Sequence, residues 1–237
     1  FGGDGPKSDW LATDLTLLAS GGQLGFTGDP DRPPVQIGGV PQGWLHGALE
    51  AAEATSLALF ERSKSGWGQH IDISVQQAVT QCTQTMLLTS AVGAPAWGRA
   101  GGGIKAGEYV IRTVYPAKDG FISMCFMFGE MLGPYSQRLM NWVHEEGFCD
   151  EATRDQNWID FFTMIFSGQA DAEDLYRAQD AIAAFTSTKT KAELMAGNYE
   201  RRLLIAPVAT TKDIVESEHL AARKFFEEVP DLGYKFP

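Results

Sequence analysis

One stretch, from Trp44 to Val75, constrains the fold of this chain more than any other. Leu45, Leu49, Ala52, Ser56, Leu59 and Phe60 recur at helical spacing and make one apolar or small face, while His46, Glu50, Glu53 and Arg62 lie off it. The periodicity predicts a helix of about five turns. Gly66 and Gly68 then supply the permissive backbone that stops a helix and turns the chain. Ile71, Ile73 and Val75 alternate with Asp72 and Ser74 as a strand does. The expected unit is helix, glycine turn and buried strand.

On the N-terminal side, Asp9 to Ala19 reads as a helix, with Ser8 or Asp9 as cap and Leu11, Leu15 and Leu18 on one stripe. Gly21 and Gly22 end it. Asp29 to Gly43, rich in proline and glycine, reads as a loop with a short extended piece at Val35 to Ile37. A second helix is expected from about Gln76 to Ala91. Val92 to Gly107 then carries six glycines and a proline, the sharpest composition break in the chain and the expected domain boundary.

Beyond it, Tyr109–Val114 and Phe121–Phe126 flank Lys118-Asp119-Gly120, and an Asp-Gly turn between apolar alternations predicts a hairpin. Met131–Glu145, Asn157–Phe166, Ala172–Phe185 and Lys191–Arg202 carry helical apolar spacing with charged opposite faces. A small sheet covered by helices follows from this. Leu203 to Ala209 reads as a returning strand, and Lys212 to Val229 as an amphipathic helix with Ile214, Leu220, Phe225 and Phe226 as core candidates.

Composition is that of an ordinary globular chain, 44% hydrophobic and 21% charged, enough for a sizeable core. A net charge of -11 argues against nucleic acid or an anionic membrane as partner, since either would need a positive field. Cys82, Cys125 and Cys149 are an odd, widely spaced set without a CxxC pair, which suits reduced thiols in the cytoplasm and gives no zinc site. No apolar run reaches the roughly 18 residues of a membrane span. A P-loop and a G-x-S-x-G elbow are both missing, so neither a nucleoside triphosphatase nor a serine hydrolase is supported.

The stretch ending Arg62, Gly66-Trp67-Gly68-Gln69, Ile71-Asp72-Ile73-Ser74 and Gln76-Gln77-Ala78 resembles the signature of the family III CoA-transferases. Phe1-Gly2-Gly3-Asp4-Gly5-Pro6, Ala19-Ser20-Gly21-Gly22 with Thr27-Gly28-Asp29-Pro30, and Ile205-Ala206-Pro207-Val208 with His219 to Phe226 fall in the family's order. The resemblance covers almost the whole chain. It implies an α/β fold of the interlocked-dimer type, with part of a Rossmann-like large domain and a small α+β domain. Residues 1–92 would belong to the large CoA-binding domain, 93–202 to the small domain, and 203–237 to a segment returning to the large one. It also implies that the chain is an internal piece of a longer protein. Coenzyme A or acyl-CoA would be the substrate, with a carboxylic acid and no metal, and the assembly a homodimer or a heterodimer with a related chain.

Family members attack the acyl-CoA thioester with an aspartate at the head of the long helix, giving a mixed anhydride and then an enzyme-bound CoA thioester. Counting back from Arg62 and Gly66 without a gap, that position holds Trp44, and a slip of one residue gives Gly43 or Leu45. Indole has only a donor N–H and cannot replace a carboxylate. Trp44 is then either an aromatic plug or a platform for a planar acyl group or adenine. The resemblance offers Asp14 as an acid, base or orienting group near the thioester, against a plain hydrogen-bonded aspartate.

His46, Glu50 and Glu53 share a helical stripe that suits a proton relay or a metal in principle, although a solvated face is the commoner use of such a stripe. Gly101-Gly102-Gly103 is either a lid over substrate or a flexible connector. Two functions from different classes follow: an active acyl-CoA enzyme, whether transferase or racemase-like, and a silent subunit paired with a chain bearing the aspartate.

Overall fold

The computed structural model describes residues 1–93, 98–106, 109–229 and 234–236. It mixes helices and strands in two compact units, Phe1–Arg112 and Thr113–Pro237. Part of the expected boundary, residues 94–97 and 107–108, lies outside the described residues.

The first unit is built from α1 (Asp14–Ser20), a 3-10 turn at Gln23–Phe26, α2 (Gln42–Ser65), α3 (Val75–Gln81), α4 (Gln84–Ala91) and the antiparallel pair β1 (Gly103–Ala106) and β2 (Tyr109–Arg112). The first helix starts later than the sequence suggested. Thr13 caps it through a reciprocal box with Thr16, so Trp10 and Leu11 stay outside, exposed. The long helix ends as expected, at Gly66 with φ 76°, where a residue lacking Cβ carries the left-handed turn.

Its packing face differs from the expected one. Leu45, Leu49, Leu59 and Phe60 are all exposed, and the buried positions of α2 are Gly43 and Gly47. Close approach to a neighbouring helix explains this: a Cβ on Gly47 would lie 2.7 Å from Val75 Cγ2.

The expected strand at 71–75 does not form. Gly66 to Ser74 has no regular structure, and Val75 opens α3. Period-2 alternation needs a ladder partner to become a strand; here Asp72 instead accepts two bonds from the Gly3 N–H, at 3.0 and 2.9 Å, and Ser74 Oγ donates to the Phe1 carbonyl at 2.6 Å. The second helix, expected unbroken over 76–91, is interrupted at Cys82 and Thr83. There the Thr83 hydroxyl takes the Thr80 carbonyl that the helix would otherwise use.

The second unit holds β3 (Val114–Ala117), β4 (Gly120–Met124), α5 (Gly129–Glu145), α6 (Glu151–Arg154), α7 (Phe161–Phe166), α8 (Ala172–Ser187), α9 (Lys191–Arg201), β5 (Ile205–Pro207), α10 (Thr211–Val215), α11 (Glu218–Ala222), β6 (Glu227–Val229) and β7 (Tyr234–Phe236). The Asp-Gly hairpin is present, with Ala117 opposite Gly120, and β5 adds to β4 as the third antiparallel strand. Ile122, Met124, Tyr115 and Ile205 are buried on this sheet, and α8 lies along β3.

Leu139, Met140 and Val143 of α5 and Leu175, Ile182 and Phe185 of α8 complete the core. The helix expected over 212–229 is instead two short helices and a strand. Thr210 and Ser217 each cap a new start, and Lys224 takes a positive φ of 53°. Ile214 and Phe225 are accordingly exposed rather than core.

An ion pair ties the hairpin turn, α9 and α10 together. Lys191 N–H donates to Asp119 Oδ1 and its Nζ reaches Asp213 Oδ2, both at 2.7 Å. That ammonium, with the Thr210 N–H, lowers the Asp213 carboxyl from 3.8 to about 2. A depressed carboxylate contributes stability that is present above about pH 4 and lost as pH falls toward about 2. Denaturation of wild type and Asp213→Asn at pH 6, 4 and 2 should therefore show a stability gap that narrows with acid, whereas a constant gap would contradict the pairing.

Candidate functional site

Pro41, at the head of α2, has no side chain able to cap the helix. Asp14, the first residue of α1, does so from outside: its Oδ1 accepts the Trp44 N–H at 3.1 Å and its Oδ2 accepts from Gln36 Nε2 at 3.0 Å. Gly43 permits this approach, since a Cβ there would lie 3.0 Å from Asp14 Oδ1. The carboxylate thus sits at the N-termini of two helices, where unsatisfied amides and the dipole favour negative charge. Trp44, third residue of α2, presents an indole that is 47% exposed.

Asp14 is half-buried, and both its oxygens are engaged in holding the head of α2. Loss of a helix cap typically costs about 0.5–2 kcal/mol, so Asp14→Ala should destabilise by that amount. Asp14→Asn keeps an acceptor for the Trp44 N–H and should lose clearly less. Thermal denaturation of the two variants checks this; equal losses would show that the carboxylate does more than cap.

His46 lies two residues beyond Trp44, and such neighbours do not share a helix face. Its ring meets Cys82 across the groove between α2 and α3, with Sγ 3.5 Å from Nδ1 and 3.7 Å from Nε2. Glu50 and Glu53 line the same groove, as the helical stripe predicted. Among the described residues no group of three His, Cys, Asp or Glu side chains is placed to hold a metal ion.

The glycine run lies elsewhere in this unit. Gly101 N–H donates to the Gly28 carbonyl at 3.1 Å, and Gly103 opens β1. Gly101, at φ 60°, stands so close to Asp29 that a Cβ would be 2.9 Å from Oδ1. Arg99 secures the same loop, its guanidinium donating to the carbonyls of Asp29, Pro30 and Arg32. Gly101 therefore joins the Thr27–Pro34 loop, and the structure groups the predicted residues as Asp14 with Trp44, His46 with Cys82, and Gly101 with Gly28 and Asp29.

Sequence reasoning missed Gln36 and Cys82. Gln36 sits in the short extended piece of a proline- and glycine-rich loop, and an isolated cysteine carries no spacing signal beyond disulfide or zinc pairing. Their partners lie 22 and 36 residues away, beyond any local spacing rule.

The model of CoA-transferase family III matches residues 1–236. Succinyl-CoA:(R)-benzylsuccinate CoA-transferase subunit BbsE of Thauera aromatica is 26% identical over 238 residues, covering 96% of this chain and 53% of that protein. Succinyl-CoA--D-citramalate CoA-transferase of Chloroflexus aurantiacus is 28% identical over 235 residues, covering 98% and 54%. The chain thus spans about half the length of these relatives. Among solved structures, a CAIB/BAIF family protein from Brucella suis superposes with a TM-score of 0.71 at 19% identity, covering 100% of this chain and 62% of that one. That likeness supports the α/β fold. Among the described residues no helix is long and apolar enough to cross a membrane. With the family's signature residues set around α2 and its model matched along nearly the full length, the chain belongs to CoA-transferase family III.

Proposed function

We propose that this chain is a CoA-transferase subunit without the family's nucleophile, working in the cytoplasm as a dimer with a related chain that carries it. The pair moves CoA between an acyl-CoA and a carboxylic acid. The observation that carries this proposal is the head of α2: position 44 holds an indole, and the carboxylate bonded there, Asp14, has both oxygens committed to Trp44 N–H and Gln36. A side chain with only a donor N–H cannot attack a thioester.

Within the pair, residues 1–92 belong to the large CoA-binding domain, 93–202 to the small domain and 203–237 to the segment that returns. Trp44 offers a half-exposed aromatic face for a planar acyl group or adenine. Asp14 positions that face rather than transferring protons, and the glycine run closes over the Thr27–Pro34 loop. The naming of the Thauera relative as a subunit supports a multi-chain enzyme. Full-length protein purified with its co-expressed homologue should transfer CoA between succinyl-CoA and a free acid, and the same protein alone should not. Transfer by the isolated chain would overturn the proposal.

A further inference from the structure

The groove between α2 and α3 has a volume of about 540 Å³, and its wall includes His46, Leu49, Glu50, Glu53, Leu57 and Cys82. Cys82 is the exposed member of three free cysteines; Cys125 and Cys149 are half-buried, and burial raises both of their thiols. Either ring nitrogen of His46 is close enough to accept the Cys82 proton, at 3.5 and 3.7 Å. Glu50 Oε2 is buried in the α2 wall and has no hydrogen-bond partner among the described residues, leaving an acceptor in need of a donor. The function proposed above assigns no role to these groups.

We infer that Cys82 and His46 form a thiol–disulfide exchange site for small organic disulfides that carry an ammonium group. His46 takes the Cys82 proton, and the thiolate attacks one sulfur of R–S–S–R. The Cys82–S–S–R bond forms as the disulfide bond breaks, and the other half leaves as RS⁻, which regains the proton from His46 as RSH. The apolar wall of Leu49 and Leu57 accepts the carbon chain, while Glu50 and Glu53 pair with the ammonium and repel anionic disulfides.

The test uses reduced full-length protein at pH 7, treated in parallel with cystamine, bis(2-hydroxyethyl) disulfide and dithiodiglycolate, and followed by peptide mass mapping before and after dithiothreitol. Cystamine should label Cys82 first and about tenfold faster than the anionic disulfide, the effect of about 1.4 kcal/mol of charge complementarity. His46→Gln should slow labelling of Cys82 by all three probes. Glu50→Gln with Glu53→Gln should bring the cystamine-to-dithiodiglycolate rate ratio at Cys82 down to about one with Cys82 still labelled by the neutral probe, and a ratio within one protein separates charge selection from a disturbed fold. Labelling of Cys125 or Cys149 as fast as Cys82, or a charge order unmoved by the paired glutamine changes, would overturn the site.

Discussion

Replacing Trp158 with alanine should cost about 3–5 kcal/mol, the usual range for deleting a large buried aromatic. Trp158 is fully buried, 5.1 Å between ring centroids from Phe126 and 4.8 Å from Phe161, and its Nε1–H donates to the Thr153 carbonyl at 3.1 Å. Alanine would empty the centre of this aromatic cluster and leave a buried carbonyl without its donor, and both effects act in the same direction. Against a typical domain stability of about 5–15 kcal/mol the loss is large. Urea denaturation of the second unit's signal measures it, with Trp158→Phe as the milder control. A loss below about 1 kcal/mol would mean that the cluster is not packed as described.

The second large effect is expected at Gly47→Val. A Cβ at this position would stand 2.7 Å from Val75 Cγ2 and 3.4 Å from Val75 Cβ, contacts that neither helix can relieve by moving a flexible side-chain tip. Overpacking of this kind costs about 1–3 kcal/mol, and the β-branched residue adds rotamer cost within α2. The displaced α3 should also lose the His46–Cys82 contact. Val75→Ala in the same protein should restore part of the loss, with a coupling of about 0.5–3 kcal/mol in a double-mutant cycle. Strict additivity would contradict the close approach of α2 and α3.

Local chemistry made much of the fold legible. The Asp119-Gly120 turn, the Gly66 stop and the amphipathic α5, α8 and α9 lie close to where spacing and turn residues put them. What failed did so for reasons outside the local window. Ile71 to Val75 alternates as a strand does, but alternation cannot supply a neighbour, and Asp72 found Gly3 instead. The break at Ser217 depended on which of several hydroxyl residues would cap a helix, a choice that periodicity does not make.

At the site, Trp44 is reached by counting back from Arg62 and Gly66, and the proposal of a missing nucleophile rests on that count. The contacts of Asp14 with Trp44 and of His46 with Cys82 were not legible, because each joins residues 30 or more positions apart. The face of α2 was misjudged for a related reason: leucines marked it as apolar, but two glycines set the distance to α3.

The central claim is that the head of α2 holds Trp44 in place of a nucleophile. Intact-mass measurement of the full-length protein alone with succinyl-CoA, with and without hydroxylamine, tests it most directly. No hydroxylamine-sensitive acyl or CoA adduct should form on this chain. Such an adduct on any of its aspartates or glutamates would contradict the account.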